Sequence, residues 1–201
     1  MSRPFSVTVY CSSSNTVADM YFALATSLGV AIAERGWRLV FGAGSIGLMG
    51  AVARAVHANG GRVYGVIPHA LDTVEITYRE SDELVKVATM RERKALLESE
   101  GNGYIVLPGG FGTLEEVAEI IVQKQLGYMD RPIVFLNVNN FWSPLLEFFE
   151  NLIEQNFVKP QNRHLYYVTD SAQDALDYIG NYYPKSTHPM ESGEAVRTAL
   201  E

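Results

Sequence analysis

Residues 104 to 119 read Tyr-Ile-Val-Leu-Pro-Gly-Gly-Phe-Gly-Thr-Leu-Glu-Glu-Val-Ala-Glu. A short apolar run stops at Pro108, glycines follow at 109, 110 and 112, and an amphipathic stretch begins, which predicts a strand, a tight turn and a helix start. A strand feeding directly into a helix is the repeating unit of layered α/β proteins, so this stretch constrains the whole chain. The turn also leaves the first N–H groups of the helix facing outward at its positive end, and glycine lets an anion come close to that backbone. Gly112 stands where a nucleoside-triphosphate loop carries lysine before the hydroxyl residue, which favours a monophosphate over a triphosphate. Thr113 and Glu116 also have the Thr-x-x-Glu spacing of a capping box, so the stretch has a purely structural reading as well.

The same order recurs along the chain. A first strand at 7–10 ends in Cys-Ser-Ser-Ser-Asn before a helix at 17–33, and the serines suit either donation to a ligand or capping of that helix. A second strand at 38–41 runs into Gly-Ala-Gly-Ser-Ile-Gly-Leu-Met-Gly at 42–50 and a helix at 51–58. Gly42, Gly44 and Gly47 match Gly-x-Gly-x-x-Gly, but no aspartate or glutamate occurs from 42 through 71 to hold an adenosine ribose. That argues against NAD and leaves a glycine loop against which a nucleotide could lie. A third strand at 62–67 stops at Pro68, and residues 69–82 show little periodicity and read as a surface excursion.

A short strand at 84–88 precedes a helix that starts near Met90, with Thr89 and Glu92 at capping-box spacing. Its first turn carries Arg91, Arg93 and Lys94, although cations there oppose the helix dipole by roughly 0.3–1 kcal/mol each. Met90, Arg93, Lys94 and Leu97 share one face, so a cation lies on the inward stripe, where an anion would compensate it. Beyond the central stretch come a helix to 126, a strand at 132–136, a helix at 142–156, a strand at 165–168 and a helix at 172–182.

The expected class is therefore a doubly wound, Rossmann-like, mostly parallel sheet with helices on both faces. One nucleotide-binding domain is expected over 1–183, with 184–201 a polar tail that is disordered or carries a terminal helix. A net charge of −7 argues against nucleic acid or anionic membranes as partners, so an anion site must be local. One cysteine, Cys11, and four scattered histidines indicate neither a disulfide nor a metal site, and a reducing, cytoplasmic compartment is expected. Ligands of such sheets lie beyond the carboxyl ends of the strands. There the serine loop, both glycine loops and the Arg93 helix should meet, with carboxylates at Glu115 and Glu116. Hydrolysis of a glycosidic bond in a nucleoside monophosphate suits that set, with Glu116 the better base.

Three spaced motifs carry a resemblance: Gly-Ser-Ile-Gly-Leu-Met-Gly at 44–50, Met-x-x-Arg-Lys at 90–94, and Pro-Gly-Gly-Phe-Gly-Thr-x-x-Glu at 108–116. Together they closely resemble the Lonely Guy family of cytokinin riboside 5′-monophosphate phosphoribohydrolases, often mislabelled lysine decarboxylases. The resemblance implies cleavage of N6-substituted AMP without a cofactor, by a homodimer with the site near its interface. It places the catalytic arginine on Arg93 and the catalytic glutamate on Glu116. It implies substrate or phosphate contacts from Gly44, Ser45, Glu75, Met90, Lys94 and Glu115, and from Gly109, Gly110, Phe111, Gly112 and Thr113. Ala43 departs from the family by replacing a glycine, and Val122 by replacing a threonine. A pyridoxal phosphate decarboxylase is disfavoured separately, because no lysine has a recognisable cofactor setting.

Overall fold

The computed structural model describes residues 4–73 and 76–183. Seven strands form one parallel sheet: β1 (Ser6–Tyr10), β2 (Arg38–Phe41), β3 (Arg62–Pro68), β4 (Glu83–Val87), β5 (Gly103–Val106), β6 (Ile133–Leu136) and β7 (Tyr167–Thr169). Their spatial order is β4-β3-β2-β1-β5-β6-β7, so the chain winds outward in one direction to β4, then returns beside β1 and winds the other way. The switch lies between β1 and β5, adjacent strands whose onward connections, to β2 and to β6, leave toward opposite edges and open a crevice at the carboxyl ends.

Among the described residues six α-helices cover the two faces: α1 (Asp19–Glu34), α2 (Gly47–Ala58), α3 (Met90–Glu100), α4 (Phe111–Gln125), α5 (Ser143–Glu154) and α6 (Ala172–Tyr182). One core, including Leu28, Val52, Ile105 and Ile179, packs α1, α2 and α6 on the sheet; the other, including Leu97, Tyr104, Val117 and Phe135, lies under α3, α4 and the α5 region. Buried β2, β5 and β6 read as nearly continuous apolar runs because both faces are covered, and β1 is buried at every position although Ser6 and Thr8 alternate with its apolar residues. The doubly wound class and the sequence of elements are as the pattern predicts.

Several local details differ. The serines after β1 do not cap α1, whose N-cap is Ala18 and has no side-chain cap bond. They serve α2 instead: the Ser12 carbonyl accepts from the Leu48 N–H at 2.9 Å, and Asn15 Oδ1 accepts from the Gly47 N–H at 2.7 Å. Those bonds start α2 at Gly47, ahead of the alanine-rich run, with Gly47 at φ +60° and its α-carbon facing the Ser13 backbone too closely for a side chain. The capping-box reading of Thr113 fails, because Gly110 is the N-cap of α4 and Thr113 lies inside the helix. At α3 the cap expected at Thr89 is present, with Thr89 Oγ1 accepting from the Glu92 N–H at 3.1 Å, while the Glu92 carboxylate reaches one residue past the N-cap and accepts from the Ala88 N–H at 2.9 Å. Ala43, the departure from the family glycine, holds φ +56° while fully buried. Residues 184–201, expected as a tail, lie outside the described residues, as does Glu75.

Candidate active site

A cavity of about 510 Å³ opens at the carboxyl ends of β1, β2, β3 and β5. Its walls come from Tyr10 of β1 and Cys11 to Ser14 after it, Gly42 and Gly44 after β2, Ile67 of β3, Arg93 of α3, the N-cap Gly110, and Phe111, Gly112, Thr113 and Glu116 of α4. The elements expected to meet at one sheet edge do meet there.

Arg93 is buried, and each part of its guanidinium is used. Nε donates to the Val66 carbonyl at 3.2 Å, Nη2 to the Gly42 carbonyl at 3.2 Å, and Nη1 to Glu116 Oε1 at 3.3 Å. Two strand ends therefore aim a fixed fork at one carboxylate, which suits the planar donor set of arginine and not the single point charge of lysine. Gly42 makes this possible: a Cβ there would stand 1.8 Å from Arg93 Nη2. The glycine at the end of β2 thus admits the arginine, and the sequence reading of that loop as a bed for nucleotide backbone contact is incomplete.

Glu116 sits one turn into α4 with its side chain about 11% exposed. Burial pushes its carboxyl up to about 7; Arg93 and Lys94 pull downward against that, while Glu115 and Glu119 add to the rise. Near neutrality the group exists in both protonation states, the condition for an acid or base working at that pH. Burial likewise raises the Tyr10 phenol and the Cys11 thiol, with the Glu116 carboxylate adding to both, so neither ionises near neutrality and neither reads as a nucleophile.

The first turn of α4 supplies the second component. Phe111, Gly112 and Thr113 open the helix, and their N–H groups precede the first intrahelical acceptor, the Gly110 carbonyl, which takes Leu114 N–H at 3.0 Å. Gly110 and Gly112 face open space, with no atom within 4 Å of where a Cβ would be. This terminus is open to an anion, whereas the first N–H groups of α2 are already spent on Ser12 and Asn15.

The remaining sequence candidates divide. Gly44 lines the cavity, but the Ser45 N–H donates to the Ile76 carbonyl at 2.7 Å. Lys94 is drawn to Glu115 and to Glu119 at 2.9 Å, clamping α3 to α4 outside the cavity wall. Met90 is 44% exposed, and Gly109 packs on Thr113 beside a smaller apolar cavity. Leu71 and Ile76 also line the main cavity, which the reading of 69–82 as a surface excursion missed. Apolar residues in an aperiodic stretch offered no signal for this. Among the described residues no group of histidine, cysteine, aspartate or glutamate is arranged to hold a metal ion, and no helix is long and apolar enough to cross a membrane.

Fold and cavity together define a Rossmann-like α/β protein with an open helix terminus beside a buried acid–arginine pair. Solved structures share the fold: the molybdenum cofactor carrier protein of Chlamydomonas reinhardtii superposes with a TM-score of 0.70 at 23% identity, covering 90% of this chain and 98% of that one. The molybdenum cofactor binding protein of Rippkaea orientalis has the same TM-score of 0.70 at 19% identity and the same coverage, 90% and 98%. At such identities only the fold is shared. The family model described as "Possible lysine decarboxylase" matches residues 49–179. Relatives include the cytokinin riboside 5′-monophosphate phosphoribohydrolase LOG5 of Arabidopsis thaliana, 41% identical over 91% of this chain and 80% of that protein. A probable phosphoribohydrolase of the same kind, LOGL2 of Oryza sativa subsp. japonica, is 39% identical over 92% of this chain and 75% of its own length. The chain belongs to this family, the Lonely Guy phosphoribohydrolases.

Proposed function

We propose that the protein hydrolyses the N-glycosidic bond of N6-substituted AMP, a cytokinin riboside 5′-monophosphate, releasing the free base and ribose 5-phosphate. The observation that carries this reading is the pairing of buried Glu116 with Arg93 at 3.3 Å in the cavity that also receives the open first turn of α4. The decarboxylase wording of the family model has no support in the chemistry of these groups.

In this mechanism the phosphate rests on the N–H groups of Phe111, Gly112 and Thr113, and its binding energy positions the ribose. Glu116 takes a proton from water as the water oxygen bonds to C1′. The C1′–N bond breaks, its electron pair leaves with the base, and the proton held on Glu116 passes to that base. The ionised carboxylate also offsets positive charge on the oxocarbenium-like sugar. Arg93 fixes the carboxylate and, through its ties to Gly42 and Val66, holds it at the sheet edge. Glu75, Ser45, Met90, Lys94 and Glu115 belong to the proposal as further substrate contacts from the resemblance. So do a homodimer and a cytoplasmic setting.

Incubating pure protein with N6-isopentenyl-AMP and, separately, with AMP tests the proposal by product analysis. Free base and ribose 5-phosphate from the first alone fit a cytokinin-activating enzyme, and release from both fits a broader nucleotide hydrolase. AMP bound but neither substrate cleaved would make the protein a non-catalytic nucleotide-binding module.

A further inference from the structure

The carbonyl of Gly42 that anchors Arg93 belongs to the peptide joining Gly42 to Ala43, and its direction depends on φ of Ala43, which is +56°. That left-handed conformation crowds Cβ against the following carbonyl and costs any residue that has one. Ala43 holds it while fully buried, its methyl group set against Gly65 of β3, where a Cβ would stand 2.9 Å away. Such a conformation persists only where the surrounding structure imposes it.

Tyr78 is placed to impose it. Its N–H donates to the Ala43 carbonyl at 2.8 Å, which fixes the peptide on the other side of the left-handed residue. Gly44 bridges Thr77, and the Ser45 N–H donates to the Ile76 carbonyl at 2.7 Å, so residues 76–78 clasp the turn at three successive positions. The buried Tyr78 ring ties that clasp to two other elements, meeting Phe41 of β2 edge-on at 6.1 Å and lying over the His57 ring at 5.5 Å. Its hydroxyl is 2.8 Å from His57 Nδ1 and donates to Glu80 Oε2 at 3.3 Å. Burial pushes the phenol up to about 12, with Glu80 adding to the rise, so the hydroxyl keeps its proton for these bonds. His57, in the last turn of α2, is held from behind: Nε2 is 3.0 Å from Asp82 Oδ2, which accepts from the Val63 N–H of β3 at 2.8 Å.

We propose that Tyr78, seated by His57, is a positioning residue for the hydrolysis: by bracing Ala43 in its left-handed conformation it keeps the Gly42 carbonyl aimed at Arg93, and Arg93 at Glu116. Neither Tyr78 nor His57 lines the cavity, so the effect passes through the backbone. Without the brace Ala43 relaxes toward negative φ, and the Arg93 fork loses one of its two carbonyl anchors. Arg93 then pulls less on Glu116, whose carboxyl rises further.

The inference rests on the hydrolase reading, and the test separates the two. Tyr78→Phe, Tyr78→Ala, and Tyr78→Ala combined with Ala43→Gly are made in the full chain, and kcat and KM for N6-isopentenyl-AMP are measured across pH. Tyr78→Phe, which keeps the ring, is expected to lower kcat about threefold and Tyr78→Ala about thirtyfold, with KM within about twofold in both. In Tyr78→Ala the acid limb of the kcat profile, where Glu116 takes up its proton, should move up by about half a pH unit or more. Glycine adopts positive φ without a brace, so adding Ala43→Gly should return kcat to within about threefold of wild type and bring the limb back. Unchanged kcat in either single variant, an acid limb that stays in place, or a loss that Ala43→Gly does not relieve overturns the assignment. Wild-type protein that binds AMP but leaves N6-isopentenyl-AMP intact defeats the hydrolase reading, and this inference with it.

Discussion

Replacing Glu116 by glutamine should stabilise the protein while abolishing its turnover, and the size of the gain should depend on pH. A carboxyl raised from 4.5 to about 7 binds its proton more tightly in the folded chain than in the unfolded one. Stability is therefore fully present below the unfolded value and falls as pH rises toward about 7, above which the loss is complete. At about 1.4 kcal/mol per pH unit, the displacement from 4.5 to about 7 corresponds to roughly 3 kcal/mol. The raised value already includes the attraction of Arg93, so a neutral amide of the same shape mimics the protonated state without counting that pair twice. Urea unfolding of wild type and Glu116→Gln, at one protein concentration, should give a variant advantage about 2–3 kcal/mol larger at pH 8.5 than at pH 5. Any fixed cost of placing the amide NH₂ group cancels in that comparison. An advantage equal at the two pH values would mean that the carboxylate is not strained by burial, and the physical basis for Glu116 as a base at neutral pH would be gone.

Two glycines offer complementary tests. Gly42→Ala places a methyl group 1.8 Å from Arg93 Nη2, so the guanidinium must leave the Gly42 carbonyl and turnover should fall at least a hundredfold with circular dichroism unchanged; full activity would show that Arg93 needs no such anchoring. Gly112→Ala meets no neighbour and replaces a helical glycine, so thermal stability should rise by about 1 kcal/mol while AMP binding weakens as the methyl group crowds the phosphate approach. Unchanged AMP affinity in that variant would move the phosphate away from the first turn of α4.

Much of the architecture was legible because its signals are local. Apolar runs of four or five residues, helical spacing and glycine punctuation recur without interruption, and the order of elements follows from them. The same periodicity placed Arg93 on the inward face of α3. It could not separate Arg93 from Lys94, its neighbour on the same stripe. That separation depends on where α4 lies, since one cation meets Glu116 in the cavity and the other meets Glu115 and Glu119 outside it. Nor could it give the reason for Gly42, whose partner is 51 residues away.

The sequence by itself thus determined the α/β class and the glycine turn at 109–113, features written within one turn or one strand, and the spaced motifs that carry the family resemblance pointed to Arg93 and Glu116. Tertiary structure alone decided what surrounds them. It set which helix terminus stays open, α4 and not α2, because the loop after β1 folds back and consumes the N–H groups of the other. It also brought Leu71 and Ile76, from an aperiodic stretch, to the cavity wall, with the described residues near them bonded to β3, α2 and the loop after β2. Above all it brought Glu116 out of water, and a carboxyl's readiness to exchange a proton near neutrality comes from that burial, which no property of the residue's own neighbours in the chain can supply.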